Sequence, residues 1–274
     1  MMITSTGNAQ VKELVRLMKK RKARDEAGVF LVEGPRMTGE LLEDPEWRGQ
    51  IEKVWMSESY ARRHESGANA GEKATALPDG CRTELLSDAV FSHVSDTKTP
   101  QGILAVVRRR EYSMQDVLGE DPGKALVAVL DNLQDPGNMG TIFRTAEAAG
   151  ATGILMSSDC VDIYNPKVVR STMGSLLRMP FLCEDDLPAA LEDLKKAGIR
   201  VYAAHLEGKE FYDREDYRRG TAFLIGNEGN GLREETARTA ECMIRIPMEG
   251  KAESLNAAVA ASILMYEASR QRRN

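Results

Sequence analysis

The chain has 274 residues, of which 42% are hydrophobic and 29% are charged, and its formal net charge is −5. This length and balance are typical of a globular protein with two modest domains, each large enough to bury its own core. No window is apolar for long enough to span a bilayer, and the first residues lack the basic-then-apolar order of a signal peptide. We therefore expect a cytoplasmic protein with no membrane partner.

Residues 1–110 show the pattern of a small α/β/α domain. Apolar residues recur on one face of a predicted helix over residues 8–24, which Thr6 or Asn8 could cap. A second helix begins at Pro35, because proline suits the first turn of a helix. The remaining elements are strands over residues 29–32, 53–56 and 102–107, a helix over residues 85–94 and a mobile loop over residues 61–80.

Charged, proline and glycine residues concentrate over residues 111–124, where we place a linker between two domains. The second domain, residues 125–274, opens with an apolar run over residues 125–130, which is typical of a parallel strand buried on both faces. Strands and helices then alternate, which predicts an α/β fold with a parallel sheet. The later strands are predicted over residues 154–156, 201–204, 222–225 and 243–246, and the helices over residues 138–149, 166–177, 186–197 and 254–270.

Positive charge is concentrated in the predicted N-terminal helix. Residues 1–110 hold 18 Lys and Arg against 16 Asp and Glu, whereas the rest of the chain holds 19 against 26. A basic run of this kind can bind phosphates, although a solvated helix face would have the same composition. The basic residues of this helix are Lys12, Arg16, Lys19, Lys20, Arg21, Lys22 and Arg24.

The cysteines and histidines are scattered along the chain. No two cysteines have the C-x-x-C spacing of a zinc ribbon or a thioredoxin site, and isolated histidines do not indicate a metal site. We expect the cysteines to be buried free thiols in a reducing compartment. These residues are Cys81, Cys160, Cys183 and Cys242, and His64, His93 and His205.

Three polar loops follow candidate strands of the second domain, at residues 132–140, 226–231 and 247–256. Their glycines permit positive φ and close approach of a ligand to the backbone, and their asparagines tolerate such turns. Parallel α/β sheets bind ligands beyond the C-terminal ends of their strands, so we expect the three loops to form one composite pocket. The first loop has neither G-x-G-x-x-G nor G-x-x-x-x-G-K-[ST], which argues against a dinucleotide site and a P-loop.

The polar side chains of these loops have two interpretations. Arg144 lies about two turns into the helix after the first loop, where a guanidinium suits a phosphate or a developing anion. Asn138 could simply cap that helix, and Glu228 could be a solvated turn carboxylate. Ser254 could cap the last helix, which would place Asn256 in its first turn. The occurrence of all these residues in this order at strand ends indicates a functional site more specifically than any one of them does.

The three loops resemble the signature motifs of the SpoU/TrmH family of RNA 2′-O-ribose methyltransferases, members of the SPOUT superfamily. The first motif, N-x-x-x-x-x-R, matches Asn138 and Arg144. The second matches residues 225–232 and the third residues 246–256, and the resemblance extends over residues 125–270. The first domain is similar to the family's RNA-binding domain, which is related to the ribosomal protein L30e fold.

The resemblance implies a parallel-sheet SPOUT domain with a C-terminal trefoil knot, against the general rarity of knots, preceded by the smaller L30e-like domain. It implies S-adenosylmethionine as cofactor, held in the knot largely by backbone groups of the second and third loops. It also implies a homodimer with the active site near the dimer interface. The cofactor-binding residues that it implies are Leu206, Gly226, Ile246 and Leu255.

By the same resemblance the reaction is methyl transfer to a ribose 2′-oxygen, with Arg144 activating the hydroxyl group. Because a guanidinium stays protonated, we favour stabilisation of the developing alkoxide over removal of the proton by Arg144. The residues implied to orient Arg144, the ribose and the cofactor loops are Asn138, Glu228, Ser254 and Asn256. The residues expected to bind RNA phosphates are Lys19, Lys20, Arg21 and Lys22.

The RNA substrate that the first domain predicts is 23S rRNA, with tRNA as the alternative. Two other functions compete with this prediction. An RNA-binding protein without catalysis would need a broken motif, and the motif positions show no departure from the family pattern. An α/β enzyme that acts on a small molecule would leave the first domain without a role.

Overall fold

The computed structural model describes residues 2–65 and 81–273. Its strands and helices form two compact units. The first comprises Met1–Arg110 and Asp162–Leu177, and the second comprises Glu111–Val161 and Arg178–Asn274. The first unit therefore includes a later segment of the chain, which the sequence analysis places in the second domain.

The elements are labelled in chain order. The strands are β1 (Met2–Ile3), β2 (Val29–Glu33), β3 (Ile51–Ser57), β4 (Thr83–Leu86), β5 (Ile103–Arg108), β6 (Leu126–Leu130), β7 (Gly153–Ser157), β8 (Phe181–Glu184), β9 (Arg200–Ala204), β10 (Glu210–Phe211), β11 (Thr221–Ile225) and β12 (Cys242–Arg245). The helices are α1 (Ala9–Lys19), α2 (Arg21–Ala27), α3 (Pro35–Glu43), α4 (Pro45–Arg48), α5 (Glu58–Glu65), α6 (Asp88–Val94), α7 (Met114–Leu118), α8 (Pro136–Ala149), α9 (Pro166–Ser171), α10 (Ser175–Arg178), α11 (Leu187–Lys196), α12 (Glu234–Arg238) and α13 (Ala257–Arg273).

In the described part of the first unit, five strands form a mixed sheet in the order β1-β4-β3-β5-β2. Strand β5 is antiparallel to both of its neighbours, whereas β1, β4 and β3 run parallel. Apolar residues of α1 and α6 pack with Leu31 and Leu104 on one face. On the other face the Phe30 ring contacts the rings of Trp47 and Tyr164. The predicted α/β/α layering is confirmed.

The segment Asp162–Leu177 joins the first unit because it packs against β2 and α4. The ring centroids of Tyr164 and Phe30 are 5.0 Å apart, and the indole Nε1 of Trp47 donates to the carbonyl of Leu177 at 2.7 Å. The helix predicted over residues 166–177 is interrupted here, because Met173 (φ 51°) and Gly174 (φ 96°) take left-handed conformations that end α9 before α10 begins.

The basic N-terminal helix is two helices, which corrects the prediction of one helix over residues 8–24. Asn8 caps α1 as predicted, since its side chain accepts from the Gln10 N–H at 2.8 Å. Lys20 is extended (φ −121°, ψ 116°) and separates α1 from α2. This turn brings Arg24 inward, where its Nη1 donates to the carbonyl of Leu17 at 2.7 Å. Arg24 is only 2% exposed and so cannot belong to a phosphate-binding surface.

Two further predictions of the first half differ from the structure. Leu85 and Leu86 belong to β4 rather than to a helix, because Ser87 caps α6 through the Val90 N–H at 3.4 Å and so sets its start. Of the loop predicted over residues 61–80, the first five residues continue α5 and the remainder lies outside the described residues.

In the second unit, whose residues 111–161 and 178–273 are described, seven strands form a parallel sheet in the order β10-β12-β9-β11-β6-β7-β8. Each pair is parallel, which confirms the predicted α/β fold. The run Leu126–Leu130 is wholly buried at the centre. The segment predicted as a linker contains α7, whose Val117 and Leu118 are buried in the core of this unit.

Within residues 2–65 and 81–273, no helix is both long and apolar enough to cross a membrane.

The ion pair between Arg24 and Asp162 is buried and should hold the first unit together. Replacing Arg24 by Met leaves the Asp162 carboxylate without its cation, so we expect Arg24→Met to lower the free energy of unfolding by about 3–5 kcal/mol. The chain has two tryptophans, Trp47 and Trp55, both buried in this unit. Their fluorescence during urea unfolding therefore reports on it alone.

The matched control is Arg16→Met, because Arg16 pairs with Glu26 while both side chains are about half exposed, 47% and 53%. An exposed pair of this kind contributes at most about 1 kcal/mol. Equal unfolding midpoints for the two variants would contradict the structural role of Arg24.

Candidate active site

Loops at the C-terminal edge of the parallel sheet enclose a cavity of about 450 Å³. Its walls come from the ends of β9, β11 and β12 and from the start of α13. A pocket of this size suits a small organic ligand. The larger apolar side chains of the wall include Leu206, Ile225, Leu232, Ile246, Met248 and Leu255, and residues 226–231 supply polar groups.

The residues implied to bind the cofactor all line this cavity. Leu206 follows β9 and is 61% exposed although it is a large apolar residue. Gly226 begins the second loop, and Ile246 and Leu255 belong to the third loop. An apolar wall beside open backbone fits S-adenosylmethionine, which joins a flat base to a polar ribose and amino acid.

The second loop is a tight turn organised by Asn227. The backbone groups of Asn227 and Gly231 bond to each other in both directions, at 2.9 and 3.0 Å. The Asn227 side-chain oxygen accepts from the N–H groups of Gly229 and Asn230. A Cβ at Gly226 would lie 2.3 Å from the backbone of Gly231. Glycine is required at position 226 because the loop folds back on itself.

The first loop lies beside the cavity rather than in its wall, which corrects the expectation of one pocket lined by all three loops. Residues 132–140, all of them described, contribute no atoms to the cavity lining. They are bonded instead to the second loop. The side-chain Nδ2 of Asn227 donates to the carbonyl of Asn132 at 2.8 Å.

Glu228 and Asn138 connect the loops through hydrogen bonds. Glu228 accepts from the N–H groups of Gln134 and Asp135, at 3.1 and 2.9 Å. The side-chain Nδ2 of Asn138 donates to Glu228 at 3.0 Å, and its Oδ1 accepts from Asn256 at 2.9 Å. Glu228 is therefore not a free turn carboxylate, and the amide of Asn138 has both of its ends fixed.

The same contacts set the protonation of Glu228. Burial raises the pKa of Glu228, but the hydrogen bonds that it accepts from the Asn138 side chain and from the Asp135 and Gln134 N–H groups outweigh burial. Its pKa therefore lies below the ordinary value for a glutamate. Glu228 is a carboxylate at neutral pH and acts as a hydrogen-bond acceptor.

Asn256, rather than Ser254, caps the last helix. The Asn256 side-chain oxygen accepts from the N–H groups of Ala258 and Val259 at 2.9 and 3.2 Å, and α13 begins at Ala257. The predictions that Ser254 caps this helix and that Asn256 lies in its first turn are therefore wrong, because Asn256 is the residue before the first turn. Ser254 is exposed and lines the cavity.

Arg144 lies on the exposed face of α8, apart from the cavity wall. Helix α8 packs against α13, where the Ser262 hydroxyl bonds to that of Thr145 at 3.1 Å. Among the described residues the Arg144 guanidinium has no hydrogen-bond or ion-pair partner. The structure brings Asn138, Glu228 and Asn256 into contact, and it places Arg144 further along the helix whose first turn contains Asn138. The cap of this helix is Asp135, whose side chain accepts from the Asn138 N–H at 2.8 Å, so the interpretation of Asn138 as the cap is wrong.

Two residues outside the three loops hold the first and second loops together and were missed in the sequence. Asp131 follows β6 and is fully buried, and Arg233 follows the second loop. The Arg233 Nε donates to the Asp131 carboxylate at 2.6 Å. Asp131 directly ends an apolar strand, which is a position where a buried carboxylate needs a partner. The position of Asp131 directly after an apolar strand was the signal in the sequence that it needs a buried partner.

The basic residues predicted to bind RNA are all exposed on α1 and α2 or between them. Arg21 and Lys22 lie 3.6 and 3.9 Å from acidic partners on the next helical turn. In the described part of the chain, Lys19 and Lys20 have no ion-pair partner. Both are available to an external anion.

The four cysteines form no disulfide among the described residues, and their burial differs. Cys160 is buried, and its Sγ accepts from the Leu133 N–H of the first loop at 3.2 Å. Cys183 is exposed at the edge strand β8, which corrects the expectation of burial. Within residues 2–65 and 81–273, no group of three His, Cys, Asp or Glu side chains is close enough to hold a metal ion.

Comparison with known proteins identifies both halves of the chain. Residues 125–266 match the SpoU rRNA Methylase family, and residues 8–105 match the MRM3-like substrate binding domain. The chain belongs to the SpoU rRNA methylase family. This SpoU methylase is 32% identical to the 23S rRNA (guanosine(2553)-2′-O)-methyltransferase RlmP of Bacillus subtilis, over 96% of this chain and 97% of the relative.

Two solved structures of methyltransferases are similar to this SpoU methylase over nearly its whole length. An AdoMet-bound (S-adenosylmethionine-bound) rRNA methyltransferase from Sinorhizobium meliloti has a TM-score of 0.82 and 32% identity, over 98% of this chain and 97% of that one. The SpoU methyltransferase AviRb of Streptomyces viridochromogenes, in complex with AdoMet, has a TM-score of 0.82 and 29% identity, over 97% and 98% of the two chains.

The lowered pKa of Glu228 makes the loop network of this SpoU methylase sensitive to acid. Because the folded pKa lies below the unfolded one, the network stabilises the fold above the unfolded pKa, and this contribution is lost as the pH falls through the folded pKa. We expect a ¹³C NMR titration of the Glu228 carboxyl group to have its midpoint below the ordinary glutamate value. Asn138→Ala removes one donor and should raise the midpoint. A midpoint at or above the ordinary value in the wild-type protein would disprove the network.

Proposed function

We propose that this chain is an S-adenosylmethionine-dependent methyltransferase that modifies the 2′-hydroxyl group of a ribose in RNA. The observation that carries the proposal is the position of one polar network beside one cavity. Leu206, Gly226, Ile246 and Leu255 line the cavity. The network of Glu228, Asn138 and Asn256 lies directly beside it.

From the family resemblance we propose the cavity as the cofactor site and the network as the ribose site. S-adenosylmethionine bound there supplies an electrophilic methyl group. The backbone of the second loop and the apolar wall would hold it, with Ser254 and Asn256 beside the cavity orienting the ribose. Fixing the reacting groups in line provides much of the rate enhancement for such a transfer. The trefoil knot that the family resemblance implies stays a prediction.

Arg144 is the residue that we propose to act on the 2′-hydroxyl group. Its guanidinium remains a cation and is a strong donor of hydrogen bonds. In this role it stabilises the alkoxide that develops as the hydroxyl proton leaves. Asn138 lies in the first turn of the same helix, and its amide is fixed at both ends, so it can hold the ribose at a constant position relative to Arg144.

We further propose that the chain acts as a homodimer through α8 and α13. Val259 and Tyr266 of α13 are 46% and 47% exposed, and Arg144 is exposed on the adjacent α8. A second copy over this face would cover the apolar residues and exclude water around Arg144, which strengthens its electrostatic effect. Sedimentation equilibrium should give the mass of two chains, and the mass of a single chain at micromolar concentration would overturn this proposal.

The substrate that we propose is 23S rRNA, because the relative of matching length methylates a guanosine of that RNA and the first domain matches a substrate-binding domain. Transfer RNA is the alternative. A cytoplasmic location accords with either substrate. Mapping 2′-O-methyl groups in total RNA from cells with and without the gene tests the proposal. A methyl group lost from 23S rRNA supports it, and an unchanged 2′-O-methyl map refutes it.

Removal of the Arg144 side chain should separate binding from chemistry. We expect Arg144→Ala to lower the rate of methyl transfer to a 23S rRNA transcript by at least about 100-fold. Its affinity for S-adenosylmethionine should be unchanged, because Arg144 does not line the cavity. Arg238→Ala, at an exposed pair with Glu234, is the control. Wild-type turnover by Arg144→Ala would remove Arg144 from the mechanism.

The basic residues of α1 and α2 should bind RNA phosphates. We expect alanine at Lys19, Lys20, Arg21 and Lys22 to weaken binding to a 23S rRNA transcript and to reduce the salt dependence by about 0.7–0.9 in the log–log slope for each lost contact. A control variant with alanine at Lys196, Arg218, Arg219 and Arg238 removes the same charge from the second unit. Equal affinity of the wild type and the first variant would refute the role.

A further inference from the structure

A fully buried carboxylate lies at the base of the first loop, in the second unit. Asp131 has no solvent exposure and ends strand β6. Its two oxygens accept from Arg233, one from the side-chain Nε at 2.6 Å and the other from the backbone N–H at 3.0 Å. The Arg233 Nη2 also pairs with Asp131. The Arg233 side chain and backbone are thereby both fixed on one carboxylate.

Arg233 also reaches the turn that follows the neighbouring strand β7. Its Nη1 donates to Asp159 at 3.1 Å. The other oxygen of Asp159 accepts from the Ser157 hydroxyl at 2.5 Å, and the Ser157 oxygen accepts from the N–H of Asn132 at 2.9 Å. The Arg233 guanidinium therefore connects the segment after the second loop to the segments that follow β6 and β7. We call Asp131, Arg233 and Asp159 the loop clamp.

The loop clamp lies at the base of both loops that form the polar network. Asn132, next to Asp131, takes a left-handed conformation (φ 54°) that is unusual for a residue with a side chain. Its carbonyl accepts from Asn227 of the second loop. Two and three residues further on, the N–H groups of Gln134 and Asp135 bond to Glu228. Rotation of either loop about its base would break these bonds.

We propose that Asp131 and Arg233 are positioning residues for methyl transfer, holding the first and second loops in the register that places Glu228 against Asn138. This inference rests on the proposed function. The Asp131 carboxylate is fully buried, whereas the Arg233 side chain is 38% exposed. Placing a charge in the interior costs solvation, and apolar residues can often replace such a pair without loss of stability, so stability alone does not explain a charged clamp. The planar guanidinium bonds at once to two carboxylates that follow different strands, a geometry that a lysine ammonium does not reproduce.

Four variants test the loop clamp. Arg233→Met leaves the buried Asp131 carboxylate without its cation. Asp131→Asn together with Arg233→Met removes both charges and keeps an acceptor for the backbone N–H of residue 233. Arg233→Lys keeps the charge and loses the planar fork. Arg238→Met is the matched control, because Arg238 lies five residues on, is exposed and pairs only with the exposed Glu234 among the described residues.

The double variant separates positioning from stability. We expect its melting temperature to lie within about 3 °C of the wild type, because no buried charge is left unpaired. Its kcat should nevertheless fall by about 10–100-fold, since a misplacement of about 1 Å has an effect of that size. Its affinity for S-adenosylmethionine should change by less than about threefold, because the pairing of Asn227 with Gly231 shapes the cavity wall independently. Arg233→Lys should recover only part of kcat.

The titration of Glu228 gives a second readout that a purely structural role would not change. In the double variant Glu228 should lose donors, and the midpoint of its ¹³C titration should move up towards the ordinary value. Wild-type kcat in the folded double variant would overturn the proposal, and so would equal losses of kcat and cofactor affinity. If the wild-type protein does not methylate RNA, the proposed function fails, and an unmoved Glu228 midpoint would separately overturn the clamp.

Discussion

The parallel direction of the strands in the second unit is the constraint on which the site depends. Because β12, β9, β11 and β6 are adjacent and parallel, their C-terminal ends meet at one edge of the sheet. The loops that follow these strands are far apart in the sequence, and they therefore lie next to each other at this edge. The cavity, our proposed cofactor site, and the polar network are both consequences of this arrangement.

Hydrogen bonds between the loops then fix the relative positions of the polar groups at that edge of the sheet. The second loop lines the cavity and also bonds to the first loop, and Asn227 and Glu228 take part in both. Asn256 joins this set by capping α13 and bonding to Asn138 with the same amide. A small number of amide and carboxylate groups thus fixes the cofactor wall and the proposed ribose site relative to each other, which is the preorganisation that in-line transfer needs.

Much of the second unit could be predicted from its sequence, because buried parallel strands such as Leu126–Leu130 are continuous apolar runs and the polar loops follow them. Partners far apart in the sequence were harder to foresee. The charge of Arg24 looks like part of a basic surface until its partner Asp162, on a distant segment, is known. The glycine at position 226 is explained by the backbone of Gly231 rather than by a ligand. The start of α13 was misplaced because Ser254 and Asn256 both have good capping side chains.

The central claim is that this edge of the sheet transfers a methyl group to a ribose hydroxyl. The most direct test is to incubate the purified chain with an unmodified 23S rRNA transcript and S-adenosylmethionine labelled in its methyl group, and then to digest the RNA to nucleosides. We expect label in a single 2′-O-methylnucleoside. Label in a methylated base, or no label in RNA at all, would contradict it.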